Sequence, residues 1–266
     1  MSNIKKLTKD YKEQVLAFAY KREIENLFLI GSFDLYNDTF ESNQIWGYYE
    51  NEELQGVATH FKRWNNFVIN AETPKITKEL TDYGIDNGVE IKCIAVFQKY
   101  SSIMMERLRD HHSKVPKKIS HQTVYTLSEE DFNDFSDGTE EMGTENDIDE
   151  LVWITTGKQG SSITEVDRKR IIPHQEFILK KDNKIVSKAN IHGVSKNYFQ
   201  VGGVGTRKEY RKKGYAKQAV SYLCKTHFEQ GIKTGLLFTD NENIPAQKVY
   251  EGIGFKPVDK LMIIEY

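Results

Sequence analysis

The sequence predicts a mixed α/β chain built from two similar halves, and three observations lead there. Apolar residues at helical spacing alternate with short strand-like runs along the whole length. Asn51-Glu52-Glu53 and Asp182-Asn183 each separate two such runs, as hairpin turns do. Each half follows one order, helix, hairpin, strand, helix, strand, helix, which points to an internal duplication despite low literal identity. The expected domains are residues 1–136 and 137–266. A chain of 266 residues has room for two modest cores.

In the first half, residues 9–22 place Val15, Leu16, Phe18 and Ala19 at helical spacing, and a short apolar run covers 26–30. Strands are expected over 45–49 and 54–61, flanking the first turn, and again over 67–70. Pro74 suits the first turn of a helix over 74–84. A strand over 90–97 and a helix over 99–110 follow. In the second half, Thr144 and Asp147 have capping-box spacing ahead of a helix over 148–154. Ser162 and Glu165 repeat that spacing ahead of a short helix ending near Arg170. Strands over 177–181 and 185–191 flank the second turn, and a third covers 198–206. A helix over 214–229 stops at Gly231. A strand over 236–239, a helix that Asn243 caps and that runs to about 251, and one or two terminal strands complete the half. Residues 128–150 hold eleven acidic side chains and read as a linker.

Composition excludes several classes of function. The 37 Lys and Arg against 39 Asp and Glu leave a net charge of −2, with no basic surplus for nucleic acid. No apolar run approaches the roughly 18 residues of a membrane span. The N-terminus lacks the apolar stretch of a signal peptide. A soluble, cytoplasmic protein is expected, with neither nucleic acid nor membrane as partner. Cys93 and Cys224 are too few for a disulfide framework or a zinc site and are expected to be reduced. His111 and His112 are adjacent, so on a helix their rings diverge, and no metal is expected there. Asp131 and Asn133 have calcium-loop spacing, but Phe135 and Ser136 fall where an oxygen ligand and a glycine are required.

The chemistry concentrates in residues 201–217. A glycine-bearing strand ends at Thr206, a basic turn follows, and a helix opens at Gly214 with Tyr215, Ala219, Tyr222 and Leu223 on one face. A helix start offers unpaired N–H groups and a positive dipole end, and a glycine there admits an anion close to the backbone. Arg207, Lys208, Arg211, Lys212 and Lys213 add charge. Together they read as a cradle for a phosphate. It is neither a Walker loop nor a dinucleotide fingerprint, because the glycine spacing fits neither.

Arg211, Gly214 and Ala216 have the Q/R-x-x-G-x-G/A spacing that follows a strand in the GNAT superfamily of acetyl-CoA-dependent N-acetyltransferases, which this sequence resembles. Residues 204–216 are similar to a subgroup with V-Y-T-x-x-E-Y-R-x-K-G-Y-A. Residues 243–255 resemble the family's N-x-x-A/S-x-x-L/I/V-Y-x-x-x-G-F/Y block. The resemblance is close over 197–258 and looser back to about residue 140. Arg207 and Lys208 replace prolines of that subgroup, Lys212 replaces a small residue, and Gly202, Gly203 and Gly205 stand where bulkier residues are usual.

The resemblance implies a GNAT fold in the second half and transfer of acetyl from acetyl-CoA to an amine, without a metal. Backbone at Val204 and Thr206 would pair with the pantetheine arm, and amides of Arg211, Lys212, Lys213, Gly214, Tyr215 and Ala216 would surround the pyrophosphate. Lys217 would lie near a phosphate and Asn243 near the cofactor. Tyr250 matches the tyrosine that protonates the leaving thiolate. A backbone N–H at Val204 would polarise the thioester carbonyl. The general base is left open among Glu176, His174, His192 and water. The acceptor is a small-molecule or peptide amine. The alternative is a binding module that holds acyl-CoA without turnover. The first half reads as a degenerate GNAT-like copy, since Ala71-Glu72-Thr73-Pro74-Lys75 follows its strand with no glycine.

Overall fold

The structure, a computed structural model, describes residues 3–35, 39–63 and 65–266. In chain order it runs β1 (Ile4–Lys6), α1 (Lys12–Tyr20), α2 (Glu23–Leu35), α3 (Thr39–Ser42), β2 (Gln44–Glu50), β3 (Glu53–Phe61), β4 (Asn66–Ala71), α4 (Pro74–Asp86), β5 (Cys93–Phe97), α5 (Gln98–His112) and β6 (Lys118–Ser128). It continues with β7 (Glu140–Met142), α6 (Ile148–Thr156), α7 (Glu165–Lys169), β8 (Glu176–Lys181), β9 (Lys184–Val194), β10 (Tyr198–Thr206), α8 (Tyr215–Glu229), β11 (Thr234–Asp240), α9 (Ile244–Ile253) and β12 (Lys256–Glu265). The fold class is mixed α/β, as the sequence pattern predicts.

The chain forms two compact units. The first comprises Met1–Val124, Phe238–Glu242 and Val258–Tyr266, and the second Tyr125–Leu237 and Asn243–Pro257. Strands of the first unit run in the order β1-β2-β3-β4-β5-β12, antiparallel except between β4 and β5. Its core sets Val15, Phe18, Leu29 and Ile30 of α1 and α2 against Ile45, Val57 and Phe61 of the sheet. Strands of the second unit run β11-β10-β9-β8-β7, parallel only between β10 and β11. One face of that sheet packs Phe177, Ala189, Phe199 and Val201 against Ala219, Leu223 and Phe228 of α8 and Ile253 of α9. Leu151 of α6 packs with Ile178 and Ile185 in a separate cluster.

Local chemistry explains the elements. Asn51 and Glu52 have φ of 49° and 68°, and Asp182 and Asn183 have 50° and 59°. Two successive left-handed residues make the tight hairpin turn whose twist matches the flanking strands. The Thr144–Asp147 capping box is present. The second box differs from expectation: Thr164 and Asp167 form it, because Thr164 Oγ1 accepts from the Asp167 amide at 3.2 Å while Ser162 closes the preceding turn. The apolar run at 26–30 lies inside helix α2, and β6 is a strand where no pattern pointed to one, three of its first four residues, Lys118, Ser120 and His121, being polar. The acidic stretch is tied down: Asp131 pairs with Lys256 at 2.6 Å, Asp134 with Lys225 at 3.2 Å, and Asp147 with Lys180 at 2.8 Å. No described helix is long and apolar enough to cross a membrane.

Candidate active site

The site is built on β10. Its antiparallel pairing with β9 slips between Gln200 and Val201 and again between Gly202 and Gly205. Gly203 has φ of +52°, a left-handed backbone that a glycine adopts without a Cβ penalty. These are the marks of a bulged strand. On the opposite side, β10 pairs with β11 only over Tyr198–Gln200. Among the described residues, 201–206, with Val204 and Thr206 among them, therefore have no paired strand there, and such an edge is where an extended ligand adds. Thr206 is held by its hydroxyl, 2.8 Å from that of Ser187.

Past Thr206 the backbone prepares a helix start. Arg207 turns away from it: its amide donates to the Val186 carbonyl, its guanidinium donates to the Ile185 carbonyl and stacks 3.9 Å from the Trp153 ring, and Glu150 lies 3.3 Å off. Arg207 is thus a structural cation, not part of the expected basic cluster. Arg211 donates from Nε to the Thr206 carbonyl at 3.2 Å. Lys212 and Gly214 have φ of 62° and 85°. Left-handed residues of this kind turn successive amides toward one side.

The amides of residues 212–217 donate no hydrogen bond among the described residues, and α8 has no side-chain cap. A Cβ placed on Gly214 would meet nothing within 4 Å, so the space before the helix is open. Arg211, Lys212, Lys213 and Lys217 form no ion pair among the described residues, and Lys217 Nζ lies 4.5 Å from the Phe135 ring centre. Open amides, a helix dipole and unpaired cations together fit a phosphate. The first unit offers the contrast. At the start of α4, Thr73 Oγ1 accepts from the Ile76 amide at 3.3 Å and Pro74 fills the first turn. The strand end before it is taken by Arg22, which donates to the Ala71 carbonyl at 2.8 Å. That helix start is closed by the protein's own groups.

Asn243 caps α9, accepting from the Ala246 amide at 3.3 Å. Tyr250 lies in the core cluster that also holds Val201, Ala219 and Val204. Its hydroxyl makes no hydrogen bond among the described residues, and burial pushes its pKa up to about 12.

Comparison with known proteins fits this arrangement. The acetyltransferase (GNAT) family model matches residues 145–255. Those residues belong to the GNAT family. A tandem GNAT protein from the clavulanic acid biosynthesis pathway aligns over 99% of this chain and 98% of its own at 8% identity and a TM-score of 0.63. A GCN5-related N-acetyltransferase from Sphaerobacter thermophilus aligns over 100% and 96% at 12% identity and a TM-score of 0.60. At these identities the likeness is one of fold, and it extends to the whole chain. A putative GNAT-family acetyltransferase from Novosphingobium aromaticivorans aligns over 56% of this chain and 65% of its own, at 17% identity and a TM-score of 0.47. No curated protein matches the chain.

Within the GNAT segment the three residues named as bases occupy different settings. Glu176 is buried and paired with buried Lys188 at 2.8 Å, while its other oxygen accepts from Asn190 at 3.2 Å. His174 is exposed on a single turn before β8. His192, on β9, has no hydrogen-bond partner among the described residues, and its ring lies against Gly202. Burial, with a smaller contribution from Lys188, lowers its pKa to about 4. Sequence reading did not single out Asn190, although 188, 190 and 192 alternate along one strand and so share a face of the sheet.

Proposed function

We propose that the protein transfers an acetyl group from acetyl-CoA to the primary amine of a small molecule or peptide. The observation that carries this reading is the run of free amides at 212–217, beside a stretch of β10 that no strand covers. The first feature suits a diphosphate and the second suits an extended pantetheine arm. A bound acetyl-CoA would supply the activated acyl group as a thioester.

The protein's own groups then have defined tasks. The amides of Lys212, Lys213, Gly214, Tyr215 and Ala216, with Lys217 beside them, hold the phosphates; the Arg211 amide, expected to join them, is instead taken by the Lys208 carbonyl at 3.4 Å. Backbone at Val204 and Thr206 aligns the arm, and an N–H at Val204 steadies negative charge on the carbonyl oxygen. Tyr250, with a pKa near 12, stays protonated at neutral pH. A thiol has a pKa of about 8.5, so complete transfer from this phenol is uphill. Its task is to donate a hydrogen bond as charge builds on the sulfur. Asn243 fixes the start of α9, the helix that carries Tyr250.

Titration of acetyl-CoA by calorimetry, followed by an assay of CoA release with a panel of primary amines, tests the reading. Binding and amine-dependent release are expected. Tyr250→Phe should lower turnover about 10²-fold with unchanged coenzyme affinity. Binding with no amine ever acetylated would leave a non-catalytic acyl-CoA module instead.

A further inference from the structure

Gly202 and Gly203 are unusual residues for a strand, and the neighbouring strand shows what they make room for. A Cβ on Gly202 would lie 2.1 Å from Cε1 and 2.2 Å from Nδ1 of His192, closer than such atoms can pack. A Cβ on Gly203 would lie 2.7 Å from Asn190 Oδ1. Both β9 side chains therefore lie in space that β10 side chains would otherwise fill. The imidazole lies over Gly202, next to the stretch of β10 that has no β11 partner.

Two hydrogen-bond acceptors are left there without partners. Asn190 Nδ2 donates to Glu176, which turns Oδ1 the other way, and that oxygen is buried with no partner in the structure. A neutral imidazole also has one acceptor nitrogen. The charges facing this spot are Lys188 of β9 and Glu176 of β8, already paired with each other at 2.8 Å. β10 contributes only glycine backbone at 202 and 203. A buried acceptor without a donor is costly, and a ligand N–H removes the cost.

We propose that Asn190 and His192 form the subsite for the acceptor amine, with His192 the group that takes its proton and Asn190 Oδ1 holding a second N–H. The proposal rests on the acetyl-transfer reading above. The amine nitrogen forms a bond to the thioester carbonyl carbon and the C–S bond breaks, its electron pair leaving on sulfur. The nitrogen proton passes to His192, which releases it to solvent, and the sulfur, hydrogen-bonded by Tyr250 as it leaves, takes its proton from water. Burial keeps His192 neutral at neutral pH, with one ring nitrogen open to an amine N–H whose proton becomes acidic only as the nitrogen bonds to the carbonyl carbon.

The test uses the full chain, with n-butylamine as acceptor probe. His192→Gln should lower turnover by 10²-fold or more, the usual contribution of a positioned base, while the dissociation constant for acetyl-CoA stays the same. His192→Ala leaves a slot over Gly202, and added imidazole should restore part of the lost rate, which a structural role does not predict. Gly202→Ala should reproduce the loss with His192 still present, because the methyl takes the ring's place. Asn190→Ala should raise KM for the amine more than it lowers kcat. Independently of turnover, the His192 ring nitrogen resonances should shift when n-butylamine is added to the CoA-bound protein. Wild-type turnover with unaltered rates in the His192 variants would overturn the assignment and leave the transferase reading standing. Coenzyme binding without turnover would remove the transferase reading. With no turnover and no ring shift, the subsite falls as well.

Discussion

At the scale of single residues, the second unit places several polar groups where packing alone would favour apolar ones. Lys188 and Glu176 are both buried and 2.8 Å apart. Removing one partner leaves a buried charge without its counter-ion, so Lys188→Met should cost about 3–5 kcal/mol in denaturant unfolding. The paired change Lys188→Met with Glu176→Leu should recover most of that loss. His192 adds a pH dependence. Its folded pKa lies near 4 against 6.5 for the free side chain, because burial and then Lys188 disfavour the imidazolium. Below pH 6.5 the unfolded chain binds a proton that the folded chain refuses, so stability falls as pH drops from 6.5 toward 4. His227, also lowered by burial, acts in the same direction. His192→Gln should flatten part of that slope in melting temperatures measured across the range. An unchanged slope would show that the imidazole is solvated.

At the scale of elements, the two helix starts at α4 and α8 differ by a few side chains, and those side chains decide what each does. Thr73 and Pro74 close one. Gly214, at φ +85° with open space before it, leaves the other bare. Gly214→Val forces a β-branched residue into left-handed backbone, a strain of about 1–2 kcal/mol, and puts a side chain where the anion would sit. Coenzyme affinity should fall at least tenfold while the fold persists; calorimetry and circular dichroism separate the two effects. This helix start was legible in the sequence because a glycine at a strand-to-helix junction has few other uses. The hairpins were legible too, since Asn51-Glu52 and Asp182-Asn183 sit between alternating runs. β6 was not, because its polar opening residues mask a strand whose burial begins at Gln122. The fate of Arg207 was hidden for another reason: its partners Trp153, Glu150 and Ile185 are far away in sequence. Pairings across long loops leave no local periodicity to read.

At the scale of the whole molecule, the units are not successive stretches of chain. β12 pairs with β5 from Leu261↔Phe97 to Glu265↔Cys93, and residues from Val258 belong to the first unit. Ending the chain after Pro257 should strip β5 of that partner. Faster amide exchange is expected at Cys93–Phe97, while exchange across α8 stays slow. Equal protection with and without the strand would contradict this. The same pairing sets an order on biosynthesis. During translation residues 1–124 leave the ribosome long before residues 258–266 exist, so the edge of β5 waits without its neighbour while the intervening residues are made. A nascent chain in that interval carries an open β edge, which is a site for pairing with the wrong chain.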